Sequence, residues 1–303
     1  MASAYLRPDD YAGFGLPAST TAAQVALASR TVDQVLKRPE GLIWVPDATG
    51  APAYMAGLSP TMTFTLVGAV QPGANVAVKV TPAILTLDIL GEVLILDRAN
   101  ADVTEACIVT GIVGKDTLTL GTVRYAHADK AAAEQGLLIT EERALPAQRA
   151  IARVSRVPCA RLVSVQGRYG YGRRSDQISG LSTDLNLLAA VSQFGAPQWV
   201  AVDPDQCSLS PSTGDVYVPA GLLLATYNDV RLRYVAGYPA AGVPDAVRAA
   251  TASILASVAS TADLPGQIKM FKAGDTSIQR FAATNIDPDT LAMLDPYKAR
   301  IFY

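Results

Sequence analysis

The chain has 303 residues, half of them hydrophobic and 17% charged, with a formal net charge of −2. This composition excludes a disordered chain, argues against a protein that coats DNA through overall charge, and allows one large or two ordinary domains at about 150 residues each. The first predicted element is a helix. Thr21 and Gln24 have capping-box spacing, and Val25, Ala28, Val32 and Leu36 recur at helical intervals until Pro39 and Gly41 stop them. Pro46 to Pro60 reads as a loop rich in Gly and Pro. Val76, Val78 and Val80 then alternate with Ala77 and Lys79, the period of a half-buried strand. The runs Glu92–Leu96, Ala106–Val113 and Thr117–Val123 follow, with turn chemistry at Asn100–Asp102 and Gly114–Asp116. Together they predict a small β-sandwich or barrel near residues 60–130.

A second strand-rich stretch runs from Gly136 to Tyr238, with Ala160–Gln166, Gln198–Val202, Val216–Pro219 and Asp229–Val235 extended. In the last, Val230, Leu232 and Tyr234 share one face, and Arg231 and Arg233 the other. Val243-Pro244-Asp245 opens a second helix with Val247, Thr251, Ile254, Leu255 and Val258 on one stripe. A hairpin, Ile268–Lys272 with Ser277–Phe281, turns at Ala273-Gly274-Asp275. Asp287-Pro288 caps a final helix carrying Leu291 and Leu294, and Arg300-Ile301-Phe302-Tyr303 follows. The fold class expected is α+β: a helical body with a strand-rich, sandwich- or barrel-like insertion. The divisions are 1–59, the N-terminal helical part; 60–130, the inserted β module; and 131–303, strands leading into helix, hairpin and helix.

Catalytic motifs are sparse. Cys107, Cys159 and Cys207 form no CxxC pair, and the one histidine, His127, rules out a multi-histidine metal site, so no metal and no cofactor is expected. No GxSxG turn, GxGxxG or GxxxxGK[ST] loop occurs. His127 reads as a structural histidine. The close carboxylate pairs Asp203/Asp205 and Asp287/Asp289 sit beside prolines in turn or cap positions, where Asp has a local hydrogen-bonding role. No signal peptide is visible at Met1–Asp10, and no apolar run approaches the ~20 residues that span a bilayer, so a cytoplasmic protein without a membrane partner is expected.

Charge is concentrated in arginine. Arg143, Arg149, Arg153, Arg156, Arg161, Arg168, Arg173 and Arg174 occur with no acidic residue between the first and the last, and Tyr169 and Tyr171 lie among them. A basic face of this kind suits an acidic face of a neighbouring subunit, or a surface near channel DNA. The apolar Ile301-Phe302-Tyr303 suits either packing on its own chain or anchoring in a partner's groove.

Two blocks carry a resemblance. One comprises Trp199–Asp203, Thr213-Gly214-Asp215-Val216-Tyr217-Val218-Pro219, Val230–Tyr238 ending in Tyr234-Val235-Ala236-Gly237-Tyr238, Val243-Pro244, and Leu294-Asp295-Pro296-Tyr297-Lys298. The other is Tyr5-Leu6-Arg7-Pro8-Asp9-Asp10-Tyr11 with the helix after it. In that order they resemble the head–tail connector (adaptor) proteins of tailed phages. Residues 60–130 depart from the smallest connectors and look like a β module that recurs in phage structural proteins.

The resemblance implies a non-enzymatic virion protein, assembled in the host cytoplasm and placed in the neck at the head–tail vertex. It implies a homo-oligomeric ring of about twelve copies with head-to-tail interfaces, docked on the portal protein, continuing the DNA channel and meeting the next neck or tail protein. Tyr297, Arg300, Ile301, Phe302 and Tyr303 are then candidates for portal contact. The eight arginines are candidates for inter-subunit or channel-facing positions, and Lys269, Lys272 and Asp275 for hairpin contacts. Three other classes remain: another virion β protein, such as a tail-completion or baseplate component; remotely, a carboxylate-dependent glycan hydrolase; and a secreted carbohydrate-binding module, which the missing signal peptide disfavours.

Overall fold

In the computed structural model, which describes residues 4–83, 89–145, 150–168, 199–219, 227–262, 270–273, 276–279 and 287–300, helix α1 (Ala22–Leu36) starts at the expected capping box. The Thr21 amide donates to Gln24 Oε1 at 2.8 Å, and the Gln24 amide to Thr21 Oγ1 at 3.3 Å. The helix ends before Pro39, because Lys37 takes a left-handed conformation (φ +56°) and closes the last turn. The expected stripe Val25, Ala28, Val32 and Leu36 is buried, and so, unexpectedly, are Ser29 and Asp33 beside it.

The stretch expected to be a loop instead pairs as a hairpin, β1 (Ile43–Pro46) with β2 (Pro52–Met55). Its prolines sit at strand ends, where a missing N–H is tolerated, and Asp47 Oδ1 accepts from the amides of Thr49 and Ala51 to fix the turn. Next come β3 (Met62–Leu66), β4 (Gly73–Thr81), β5 (Val93–Leu96), β6 (Glu105–Val113), β7 (Thr117–Val123) and β8 (Ala132–Gln135). They close into a barrel in the order β3-β4-β7-β6-β5-β8, with β8 pairing back to β3. Alternation fills it with Phe64, Val78, Val80, Leu94, Val109 and Leu118. The module therefore extends past the expected limit at residue 130, because β8 is the strand that closes it.

The remaining strands are β9 (Ile139–Ala144), β10 (Ile151–Arg153), β11 (Cys159–Arg168), β12 (Val200–Val202), β13 (Ser208–Ser210), β14 (Asp215–Tyr217), β15 (Asp229–Ala236) and β16 (Tyr238–Pro239). An antiparallel sheet runs β12-β11-β15-β9, a small one runs β10-β14-β13, and β16 joins β1 in parallel. Val165, Val230, Leu232, Tyr234, Val154 and Val216 belong to one core spanning the first two sheets. β5 is buried on both faces: Leu94 and Leu96 enter the barrel core, while Val93 and Ile95 enter the sheet core.

Helix α2 (Asp245–Ala262) opens as expected, with the amides of Val247 and Arg248 donating to the Pro244 carbonyl. A hairpin forms where one was expected but with other bounds: β17 (Met270–Ala273) pairs with β18 (Thr276–Gln279), Met270 opposite Gln279, so Ala273, expected in the turn, belongs to the strand, while 268–269, 274–275 and 280–281 lie outside the described residues. Helix α3 (Pro288–Leu294) carries both expected leucines; Leu294 is buried and Leu291 is 37% exposed. Helices α1, α2 and α3 share a third core through Val32, Leu36, Val247, Ile254, Leu255 and Leu294. Among the described residues, no helix is long and apolar enough to cross a membrane.

Candidate partner-binding surfaces

Five of the eight candidate arginines lie among the described residues, and each has a carboxylate of its own chain. Arg143 bonds Glu141 at 2.7 Å, Arg153 bonds Asp215 at 2.6 Å and Arg156 bonds Glu40 at 2.9 Å. Arg161 lies 3.7 Å from Asp47, and Arg168 bonds Asp229 at 3.0 Å. Nor do they form one strip. Arg161 and Arg168 stand seven residues apart on β11, roughly 23 Å along an extended strand. The acid-free run in sequence thus becomes separate, locally neutralised pairs: Arg143 meets Glu141 just outside the run, and the other four meet acids from distant segments. Arg149, Arg173 and Arg174, with Tyr169 and Tyr171, lie outside the described residues.

The segment after α3 is strapped to its own chain. A single turn, Asp295–Tyr297, sets the Tyr297 ring edge-on to Tyr238, with centroids 6.4 Å apart. The Ala299 amide donates to the Leu36 carbonyl and the Arg300 amide to the Ser155 carbonyl, both at 2.9 Å. The Arg300 guanidinium donates to the Thr213 carbonyl at 2.6 Å. Tyr297 and Arg300, both candidates for portal contact, therefore hold intramolecular positions; Ile301, Phe302 and Tyr303 lie outside the described residues. Of the hairpin candidates, Lys272 lies on β17 opposite Ser277, whereas Lys269 and Asp275 lie outside the described residues.

Beneath the strap lies a buried charged network that sequence reading missed. Arg38, wholly buried at the end of α1, donates to the Val157 carbonyl at 2.8 Å and the Tyr297 carbonyl at 3.4 Å. Its Nε sits 3.6 Å from Glu40, which also takes the Arg156 bond. Burial pulls the Arg38 guanidinium below its ordinary pKa, against the field of Glu40. Glu141 accepts from the Ser155 amide and hydroxyl, Tyr234 and Arg143. Burial opposes its charge, but these donors hold it below the usual carboxylate range. Nearby, Asp33 accepts from the Tyr5 hydroxyl, which in turn accepts from the Leu42 amide. Burial pushes Asp33 up to about 7, against that hydrogen bond.

A second missed residue, Arg233, joins the barrel to the sheet. The expected two-faced pattern of β15 holds, but the arginine face is covered: Arg233 is 2% exposed. It donates to the Gly91 carbonyl at 2.8 Å, to Gln166 at 3.1 Å and to Glu92. Arg231 and Arg168 both lie over the Trp199 ring, 4.4 and 4.5 Å from its centroid. No motif signals Arg38 or Arg233. Their burial depends on segments about 119 and 142 residues away.

His127 is buried with both ring nitrogens on carboxylates, Nδ1 2.7 Å from Asp97 and Nε2 2.8 Å from Glu105. Glu105 also accepts from the amides of Arg124 and Tyr125. The cluster has no solvent-facing nitrogen to act as a base, which is the geometry of a structural clamp. Asp203 caps the turn Pro204–Gln206 by accepting from the Asp205 amide at 3.0 Å. Asp287 occupies the N-cap position of α3 without a side-chain capping bond. The thiols of Cys107, Cys159 and Cys207 are free, and burial raises all three, Cys159 to about 12 and Cys207 to about 11. Among the described residues, no group of three His, Cys, Asp or Glu side chains could hold a metal ion. Compared with protein-family models, with curated proteins and with solved structures, the chain matches none.

Proposed function

We propose that this chain is a head–tail adaptor subunit of a tailed phage, acting by association rather than catalysis. It forms a closed ring of about twelve copies that docks on the portal protein, continues the DNA channel and offers a platform to the next neck or tail protein. The observation that carries this reading is the order of elements after residue 199. A strand ends in Tyr234-Val235-Ala236-Gly237-Tyr238, a helix starts behind Pro244, and a hairpin and a short helix closing on Asp295-Pro296-Tyr297 follow. That order is the one on which the connector resemblance rests. The helical layer adds support, because Leu27, Leu291 and Met293 face solvent there. Exposed apolar side chains on a helical surface suit a partner.

Native mass spectrometry of the chain, alone and mixed with the portal of the same virus, tests the reading. A portal complex carrying one full ring is the expected result, even if the free chain is monomeric. No complex at low and at moderate salt would overturn it in favour of a tail-completion or baseplate role.

A further inference from the structure

The strap Asp295–Arg300 crosses the end of α1, the bend after β10 and the turn before β14, and it buries little in doing so. Leu294, at the end of α3, is the last wholly buried side chain before it. Tyr297, Lys298 and Ala299 are half-buried, and Asp295, Pro296 and Arg300 are exposed. Polar contacts attach the strap instead: the Ala299 amide on Leu36, the Arg300 amide on Ser155 and the Arg300 guanidinium on Thr213. The Leu36 carbonyl is one of the four at the end of α1 that no amide of the helix can reach. Water can replace each of these partners, and segments with few buried apolar contacts lie at the low end of local stability.

What the strap covers is a charge. Arg38 is wholly buried, and the Tyr297 carbonyl takes from it a bond of 3.4 Å, long beside its 2.8 Å bond to Val157. Its Nη2 has no hydrogen-bond partner among the described residues, and its Nε faces Glu40 at 3.6 Å. Glu40 is held separately by Arg156 at 2.9 Å. Taking a guanidinium out of water is costly unless good geometry replaces its hydration, and a bond near the limit of hydrogen-bond length replaces little of it. Closing the strap over Arg38 therefore works against the three contacts that hold it.

We infer that Asp295–Arg300 is a latch that opens on its own, while α1, α2 and the sheets stay folded, and that rehydration of Arg38 favours its opening. The open form frees the carbonyls of Leu36, Ser155 and Thr213 and unties α3 from the small sheet β10-β14-β13. The latch thus sets whether the helical layer and that sheet are joined at this point. It does not depend on the adaptor reading.

Amide hydrogen exchange of the full chain tests the inference. The amides of Ala299 and Arg300 should exchange at least about tenfold faster than the slowest amides of α1, at a rate that low urea leaves unchanged while the α1 amides accelerate. The same rate and the same urea response at both places overturn the latch. Arg38→Met keeps an apolar stem, removes the cation and leaves Glu40 with Arg156. Exchange at Ala299 and Arg300 should then slow several-fold, because closing no longer strips water from a charge. Unchanged or faster exchange overturns the part assigned to Arg38, since the Tyr297 bond would then outweigh the cost of burial. Arg38→Gln gives the same readout if Arg38→Met fails to fold.

Discussion

In the barrel, His127 meets carboxylates 22 and 30 residues away; at the junction below α1, Arg156 and Glu40 come from 116 residues apart and Arg38 reaches a carbonyl 119 residues away. Both regions bury charge, but they satisfy it differently. The barrel cluster pairs both imidazole nitrogens. The junction leaves Nε and Nη2 of Arg38 without a hydrogen bond and places Asp33, a carboxyl reluctant to ionise, beside them. A cluster closed by neighbouring strands can be fully paired within one module. One assembled from three distant segments accepts imperfect pairing, and its stability then responds to pH through Asp33.

The largest expected effect comes from breaking the barrel cluster. His127→Ala leaves Glu105 buried without its cation and should cost about 3–5 kcal/mol in urea unfolding at pH 6. Burial opposes the imidazolium, but the hydrogen bonds and fields of Glu105 and Asp97 win, so its pKa is raised. The stabilisation is therefore complete below the ordinary value of 6.5 and fades as pH rises through the folded value. A gap between wild type and variant that stays constant from pH 6 to pH 9 would sink the two-carboxylate clamp.

The junction should respond in the same direction for a different reason. With its pKa raised from 3.8 to about 7, Asp33 stabilises the fold fully below pH 3.8 and loses that contribution as pH rises through 7. Asp33→Asn should flatten the decline, by about 3 kcal/mol between pH 4 and pH 8. Parallel pH profiles for the two proteins would contradict the burial argument.

Backbone constraint separates two glycines. Gly237 (φ +98°) lies against the Leu42 carbonyl, and a Cβ there would collide with backbone, whereas Gly114 (φ +68°) faces open space. Gly237→Ala should therefore cost about 3 kcal/mol and Gly114→Ala about 1 kcal/mol in thermal unfolding; equal losses would contradict the close approach of β1 and β16. The smallest effect is expected at Arg153→Ala. Its ion pair with Asp215 is solvent-exposed, so the unfolding midpoint should not move measurably.

What could be read from the chain alone follows the range of the interactions. The Thr21–Gln24 cap, the alternation in β4 and the Pro244 helix start are set by near neighbours, and the structure carries them as expected. The β1–β2 hairpin was hidden because its strands are four residues long and bounded by prolines. The barrel's final strand was missed because Ala132–Gln135 carries little β-propensity of its own and is held by β3 and β5. For the surfaces, one-dimensional reading failed where pairing is long-range. An arginine run free of acids says nothing about Glu40, Asp47 or Asp215 folding back onto it.

The two covered faces of β5 carry a further consequence. A strand that lines two cores at once cannot be lost from one without opening the other. The barrel should therefore not melt as an independent appendage: calorimetry should record the barrel and the large sheet in one cooperative transition. The amides of Val93–Leu96 should exchange their hydrogens only when the whole assembly of strands opens.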